Sequence, residues 1–303
     1  MIAGPRPWKR GRGGGALRRR GLSVGLAMGL LLCFRPLAAA QGINSTNDRA
    51  PAAPSPGNPW ENSLGMRFMP VPGTAVWFCM WETRVRDYQA FATATQRFWE
   101  KTSFPQGATH PAVNVSWDDA QAFCQWLTAK ERASGKLNAG QKYRLPTDLE
   151  WSAAVGLRNE KGEDPHERGN AAPALFPWGK TWPPPDKAGN YCDRQAANRH
   201  TDWIVIAGYD DGYAETSPVG SYKPNGYGLY DLGGNAWEWC EDWYDGEQTR
   251  RVLRGASWYD YDRETLFAAC RNSAAANSRF SNRGFRVVVA GPGLSWDTRA
   301  AIR

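Results

Sequence analysis

Histidine is scarce in this chain. Three occur in 303 residues, His110, His166 and His200, and no two stand at the spacing that puts paired ring nitrogens on one helix face, so a histidine-built metal centre has no support. His110 precedes Pro111 and reads as a packed or exposed loop residue rather than a ligand. Beyond residue 40 no Gly-x-Ser-x-Gly elbow occurs, which removes the local signature of one large class of serine hydrolases. The apolar run from Leu22 to Phe34 is interrupted by glycines and falls short of the ~18 residues that a membrane span requires. Excess positive charge is missing from most of the chain: the net charge is +7, but residues 1–40 hold eight Lys or Arg and no acid, which leaves 29 basic against 30 acidic residues and a balance of −1 beyond them. No electrostatic footprint for nucleic acid remains.

What the first forty residues do hold is the pattern of an export leader: a basic start ending in Arg18-Arg19-Arg20, the short apolar run, and small residues at Ala38 and Ala40. Cleavage after Ala40 is the expectation, giving an exported protein, periplasmic or secreted, without a transmembrane anchor. The Arg19-Arg20-Gly-Leu-Ser run also loosely resembles a twin-arginine signal. Export would place Cys79, Cys124, Cys192, Cys240 and Cys270 where disulfides persist. Five is an odd number, so at least one thiol lacks an intrachain partner, and a lone cysteine is equally well read as a small buried hydrophobe.

Residues 41–59 carry Asn, Ser, Ala, Pro and Gly without apolar period and read as a linker. A single domain then spans 60–290, followed by a peripheral tail, 291–303. Val76 to Trp81 suits a buried strand, with Thr83 positioned to cap a helix that turns Val85, Tyr88, Phe91 and Ala92 inward. Ser116 with Asp119, and Thr147 with Glu150, resemble capping boxes that open two further helices, ending near Gly135 and at Gly156. Between 157 and 235 Gly, Pro, Asp and Asn recur without sustained period, a length of irregular backbone that needs tryptophan packing, disulfides or metal ions to hold it. Phe285 to Val289 suits a strand. The class is α+β with few regular elements.

The stretch "GNAWEWCEDW" (234–243) sets Glu238 between two indoles, where an unpaired charge is costly to desolvate. Together with Asp231 it supplies hard anionic oxygens among glycines that let carbonyls turn to a common centre, and Asn190, Asp210 and Asp211 lie in equally irregular backbone upstream. Calcium takes six to eight such oxygens. Solvated loop carboxylates are the plain alternative on spacing alone.

Three pieces in order, "YRLPTDLEWSAA" (143–154), "NGYGLYDLGGNAWEWCEDW" (225–243) and "RGAS" (254–257) closing with "NRGFRV" (282–287), resemble the formylglycine-generating enzyme, or sulfatase-modifying factor, family. The resemblance implies a compact fold related to C-type lectins with low regular content, and two structural calcium ions. One would take the side chains of Asn190 and Asp211 with the carbonyls of Tyr191 and Tyr213. The other would take Asp231 and Glu238 by side chain and Gly234 and Ala236 by carbonyl. A cation is then the partner for Glu238, with an arginine as the alternative.

The family's oxidase converts a substrate cysteine to formylglycine with two copper(I)-binding thiols placed between the Arg-Gly-x-Ser and Gly-Phe-Arg pieces, and soft thiolates suit that soft ion. Counting forward from Ser257 those positions fall on Asp260 and Thr265; counting back from the Gly-Phe-Arg end they fall on Trp258 and Arg263. Both registers lack both thiols, so copper is not expected. Cys124 and Cys270 match disulfide positions of some members, but the partner expected for Cys124 falls at Val287. The expectation is therefore a calcium-stabilised binding module for an exported protein, peptide or glycan, whose surface includes Trp258, Tyr259, Asp260, Arg271 and Asn272. Two other readings stand beside it: an oxidoreductase that generates formylglycine on exported sulfatase-like proteins with a recruited thiol, Cys240 or Cys270, and an accessory subunit of an envelope assembly.

Overall fold

A computed structural model describes residues 54–55, 58–171 and 173–294. The expected leader and most of the expected linker lie outside them. Fourteen elements follow in order: β1 Trp60–Glu61, β2 Arg67–Pro70, β3 Val76–Cys79, α1 Val85–Thr95, α2 Trp117–Ala133, β4 Lys142–Arg144, α3 Asp148–Val155, α4 Pro165–Ala171, α5 Arg194–Arg199, β5 Trp237–Trp243, β6 Arg251–Arg254, β7 Arg271–Ala274, β8 Arg283–Gly284 and β9 Val288–Ala290. No helix among the described residues is long and apolar enough to cross a membrane.

The strands form two sheets. One has the order β1-β2-β3-β9-β4 and the other β7-β6-β5-β8. The last strand, β9, pairs antiparallel with both β3 and β4, so Val289 faces Trp77 on one side and Tyr143 on the other. In the second sheet β5 pairs antiparallel with β6 and parallel with β8, which sets Glu238 beside Arg254 and Gly284.

Local chemistry opens the helices. Ser116 accepts from the Asp119 N–H while the Asp119 carboxylate accepts from the Ser116 N–H, and Thr147 with Glu150 repeats the exchange, satisfying N–H groups that a helix start would otherwise leave unpaired. The first helix differs from expectation. Thr83 does not cap it: the Thr83 N–H donates to the Phe285 carbonyl and its own carbonyl accepts from Ala112. That backbone pairing holds Thr83 outside the helix, and the Asp87 carboxylate takes the Arg84 N–H instead.

Apolar faces converge between the sheets and helices. Tyr88 of α1 stacks on Phe123 of α2 with centroids 6.0 Å apart, and Phe123 meets Phe285 edge-on at 5.3 Å. Phe68, Phe123 and Phe285 have no exposed surface; each such ring stabilises the fold by about 1.5–3 kcal/mol relative to exposure. A second cluster gathers Trp151, Leu232, Val252 and Val288 beneath α3. The packed body also extends past the expected boundary at 290: Leu294 is buried in the main core, and Gln141 donates to the Pro292 carbonyl.

Candidate functional site

Two loops cross backbone on backbone. A Cβ at Gly234, whose φ is +88°, would lie 2.3 Å from the Asn190 carbonyl oxygen, so only glycine fits there. The crossing is sealed by the Asn235 N–H donating to that same carbonyl at 2.8 Å.

On one side of the crossing stand Asn190, Tyr191, Asp211 and Tyr213. The Tyr191 and Tyr213 N–H groups donate to the two Asp211 carboxylate oxygens at 2.8 and 2.9 Å, so the structure brings these three together, with Asn190 next to Tyr191 in the chain. Burial, then the neighbouring Asp193 carboxylate, pushes the Asp211 carboxyl up to about 8. Asn190 is fully buried; its Nδ2 donates to the Glu215 carbonyl at 2.8 Å, while its Oδ1 has no partner.

On the other side stand Asp231, Gly234, Ala236 and Glu238. Asp231 accepts the Gly220 N–H on Oδ2 at 2.7 Å and has no partner on Oδ1; burial pushes this carboxyl up to about 6. Glu238 has a guanidinium partner. Arg286 of the Gly-Phe-Arg piece donates to both oxygens, at 2.7 and 2.6 Å, and the Trp151 indole adds a third bond at 2.9 Å. Arg286 also donates to the Tyr230 and Asp231 carbonyls, which ties the ion pair to the loop that carries Asp231.

Sequence reasoning missed Glu82. It has no exposed surface, yet its carboxylate accepts from the Ala236 N–H at 3.0 Å and from Asn235 Nδ2 at 2.6 Å. Burial, then repulsion from Asp231 and Glu238, pushes its carboxyl well above the usual range. No spacing signal links residues 153 positions apart.

The N–H groups of Asn235, Ala236 and Trp237 are assigned to Asn190 O, Glu82 Oε1 and Asn282 O. A planar trans peptide turns the preceding carbonyls the opposite way, so Gly234 and Ala236 hold theirs in fixed directions. The first side also keeps Asn190 Oδ1 and the Tyr191 hydroxyl, and the second side Asp231 Oδ1, buried without a partner, and native interiors seldom leave such atoms unpaired. No group of three or more His, Cys, Asp or Glu suited to a metal exists among the described residues. Mixed amide, carbonyl and carboxylate oxygens fit calcium and not a transition metal.

Beside these loops lies a groove of about 470 Å³ whose walls include Phe104, Trp203, Trp258, Tyr259 and Phe280, with Arg199, His200 and Glu215 among its polar groups. Trp258 is buried and its indole donates to the Ser281 carbonyl at 3.1 Å, whereas Tyr259 is half exposed. Asp260 accepts the Ser257 hydroxyl at 2.5 Å, and its carbonyl takes the Cys192 N–H. His200 stacks on Trp203 at 3.9 Å with 13° between the rings, a pair that sequence spacing could not place. Of the expected surface, only Trp258 and Tyr259 line this groove.

Arg271 and Asn272 sit elsewhere. Arg271 is buried on β7 and donates to Asp148 at 3.1 and 3.0 Å and to Glu160 at 2.7 and 2.8 Å, so it belongs to an internal ion cluster and presents no free charge. Asn272 is exposed on β7 and folds its Oδ1 back onto the Ser273 N–H.

The expected disulfides do not form. Cys79, Cys124, Cys192, Cys240 and Cys270 are all free; they lie on β3, α2, a loop, β5 and the approach to β7. Burial pushes the Cys192 and Cys270 thiols up to about 11 and Cys240 well above its usual value. A thiol so shifted is almost wholly protonated at neutral pH and is a poor nucleophile and metal ligand.

Two sheets, flanking helices and long ordered loops define an α+β domain of the formylglycine-generating-enzyme type. The description "Sulfatase-modifying factor enzyme 1-like domain" matches residues 60–290, and the chain belongs to that family. It is 33% identical over 196 residues to a formylglycine-generating enzyme of Streptomyces coelicolor, a match covering 58% of this chain and 52% of that protein. It is also 33% identical over 196 residues to the inactive C-alpha-formylglycine-generating enzyme 2 of Bos taurus, covering 61% of this chain and 51% of that one. The match thus spans about half the length of these curated relatives. Among solved structures, PvdO from Pseudomonas aeruginosa superposes with a TM-score of 0.56 at 22% identity, covering 78% of this chain and 100% of that one. CarF follows at 0.50 and 22%, covering 71% and 86%. At that identity the likeness establishes the fold alone.

Proposed function

We propose that this chain is an exported, calcium-stabilised binding module of the family, which receives a protein, peptide or glycan segment in the groove of Trp203, Trp258 and Tyr259 and does not oxidise it. The observation that carries the reading is the content of the thiol positions. In one register they hold Asp260 and Thr265, in the other Trp258 and Arg263, and of these Trp258 lines a groove of about 470 Å³. The recruited-thiol alternative is weakened by burial, since Cys240 has no exposed surface and the Cys270 thiol is pushed up to about 11. A relative whose name marks it as inactive, at 33% identity, is consistent with a non-oxidising role. Export rests on the basic, apolar and small-residue order of residues 1–40.

The test is direct. The purified chain is incubated with copper(I), oxygen and a peptide carrying a sulfatase-type cysteine, and the peptide is followed by mass. The expected result is unchanged peptide and no tight copper uptake. Copper-dependent conversion of the cysteine to an aldehyde would overturn the binding-module reading and establish the oxidoreductase.

A further inference from the structure

The stretch from Asn190 to Tyr213 that offers ligands to the first site also carries Arg199, His200 and Trp203 of the groove, and the loop of the second site bonds to Trp258 in its wall. The Asn235 carbonyl, between the Gly234 and Ala236 carbonyls, accepts the Trp258 N–H at 3.1 Å, and Cys192, next to Tyr191, donates its N–H to the Asp260 carbonyl at 3.1 Å. The third connection runs through one side chain. Asn190 Nδ2 donates to the Glu215 carbonyl at 2.8 Å. The Glu215 carboxylate in turn lies 2.7 Å from Arg199 Nε and 3.3 Å from His200 Nε2, and His200 is the ring stacked on Trp203. The other end of the same amide, Oδ1, is buried without a partner.

We propose that Asn190 is a two-ended positioning residue: its oxygen ligates the cation of the first site while its nitrogen holds the Glu215 segment, so that calcium occupancy sets the shape of the groove. A primary amide is suited to this as a carboxylate is not, because it presents an acceptor and a donor in one plane. Asp at this position would keep the ligand oxygen and turn a second oxygen against the Glu215 carbonyl. The proposal rests on the calcium reading above. By linkage, a ligand that binds the ordered groove tightens calcium by the same factor that calcium tightens the ligand.

The stacked histidine provides the readout. With three histidines in the chain, proton NMR resolves each imidazole, and a ring 3.9 Å above an indole has its resonances displaced by the ring current. His166, which packs beside Tyr244 in a different cavity, is the internal control. The full chain is titrated with calcium by calorimetry and then stripped with EGTA, with His200→Gln assigning the signal. The expected result is measurable calcium binding, loss of the His200 displacement in EGTA, and no change at His166 or in the far-UV circular dichroism. Asn190→Asp is expected to bind calcium while His200 no longer follows it. Calcium binding with an unmoved His200 in the wild type overturns the link and leaves the calcium reading intact. Absence of calcium heat removes the calcium reading itself, and this proposal with it. Joint collapse of His200, His166 and the dichroism overturns a groove-specific link in favour of a staple for the whole fold. Should Asn190→Asp fail to fold, the wild-type titration alone decides; should it fold and His200 still follow calcium, the connector role falls.

Discussion

Two of the places where charge is buried among the described residues are built on opposite principles. Beneath α3, Asp148 receives Arg254, Arg271 and Arg168, and Glu160 closes on Arg271. Donors and acceptors there answer one another within the chain. At the loop crossing, Asp211 lies against another carboxylate, Asp193, and both Asn190 Oδ1 and Asp231 Oδ1 are left over. The first region is electrostatically complete as folded. The second keeps buried oxygens that the chain itself does not satisfy, even with Arg286 on Glu238. The lesson is that burial of acidic residues does not by itself point to a ligand; the calcium proposal rests instead on acceptors that the chain leaves unpaired.

The contrast can be broken most forcefully at Asp148. Asp148→Asn removes the charge that three guanidinium groups share, and breaking a buried pair costs about 3–5 kcal/mol; urea unfolding in calcium and in EGTA is expected to show the same loss in both. At the crossing the dependence should reverse. Calcium at a hundred times its Kd adds about 2.7 kcal/mol, raising Tm by roughly 5–10 °C, and Asp231→Ala or Asn190→Ala is expected to diminish that rise in a thermal melt with and without EGTA. Asp148→Asn leaves it intact.

Acid sharpens the comparison further. Burial pushes the Asp148 carboxyl up, but Arg254, Arg271 and Arg168 outweigh it and hold it at about 2, below the ordinary value near 4. A depressed folded-state pKa gives stability that is complete above the unfolded-state value and is lost as pH falls through the folded one. Melts between pH 5 and 2 should therefore lose on the order of 2 kcal/mol from this group, and Asp148→Asn should flatten that part of the profile. The smallest effect belongs to the cap that positions Asp148 at the start of α3: Thr147→Ala removes an acceptor for the Glu150 N–H and should cost about 1 kcal/mol, with calcium making no difference.

What could be read in advance divides along the same line. The capping boxes at Ser116 and Thr147 were legible because cap and partner lie three residues apart. Thr83 misled because a good cap residue was engaged in long-range backbone pairing that no local pattern announces. Arg271 was expected on the binding surface beside Trp258 as a hydrogen-bonding group; its burial depends on Asp148, 123 residues earlier in the chain. Glu82, Trp203 and His200 carried no local signature, since their roles arise where separate loops meet. The calcium ligand sets came from resemblance, and the structure added which of their oxygens lack partners.

The position of β9 between β3 and β4 has a consequence for the life of the nascent chain. Both neighbours must wait, with their inner hydrogen-bonding edges open, for a strand made more than 140 residues after β4. A product interrupted before Val288 would expose two sticky edges at once, so premature termination or clipping near the carboxyl end should yield aggregates instead of a shortened, partly working protein.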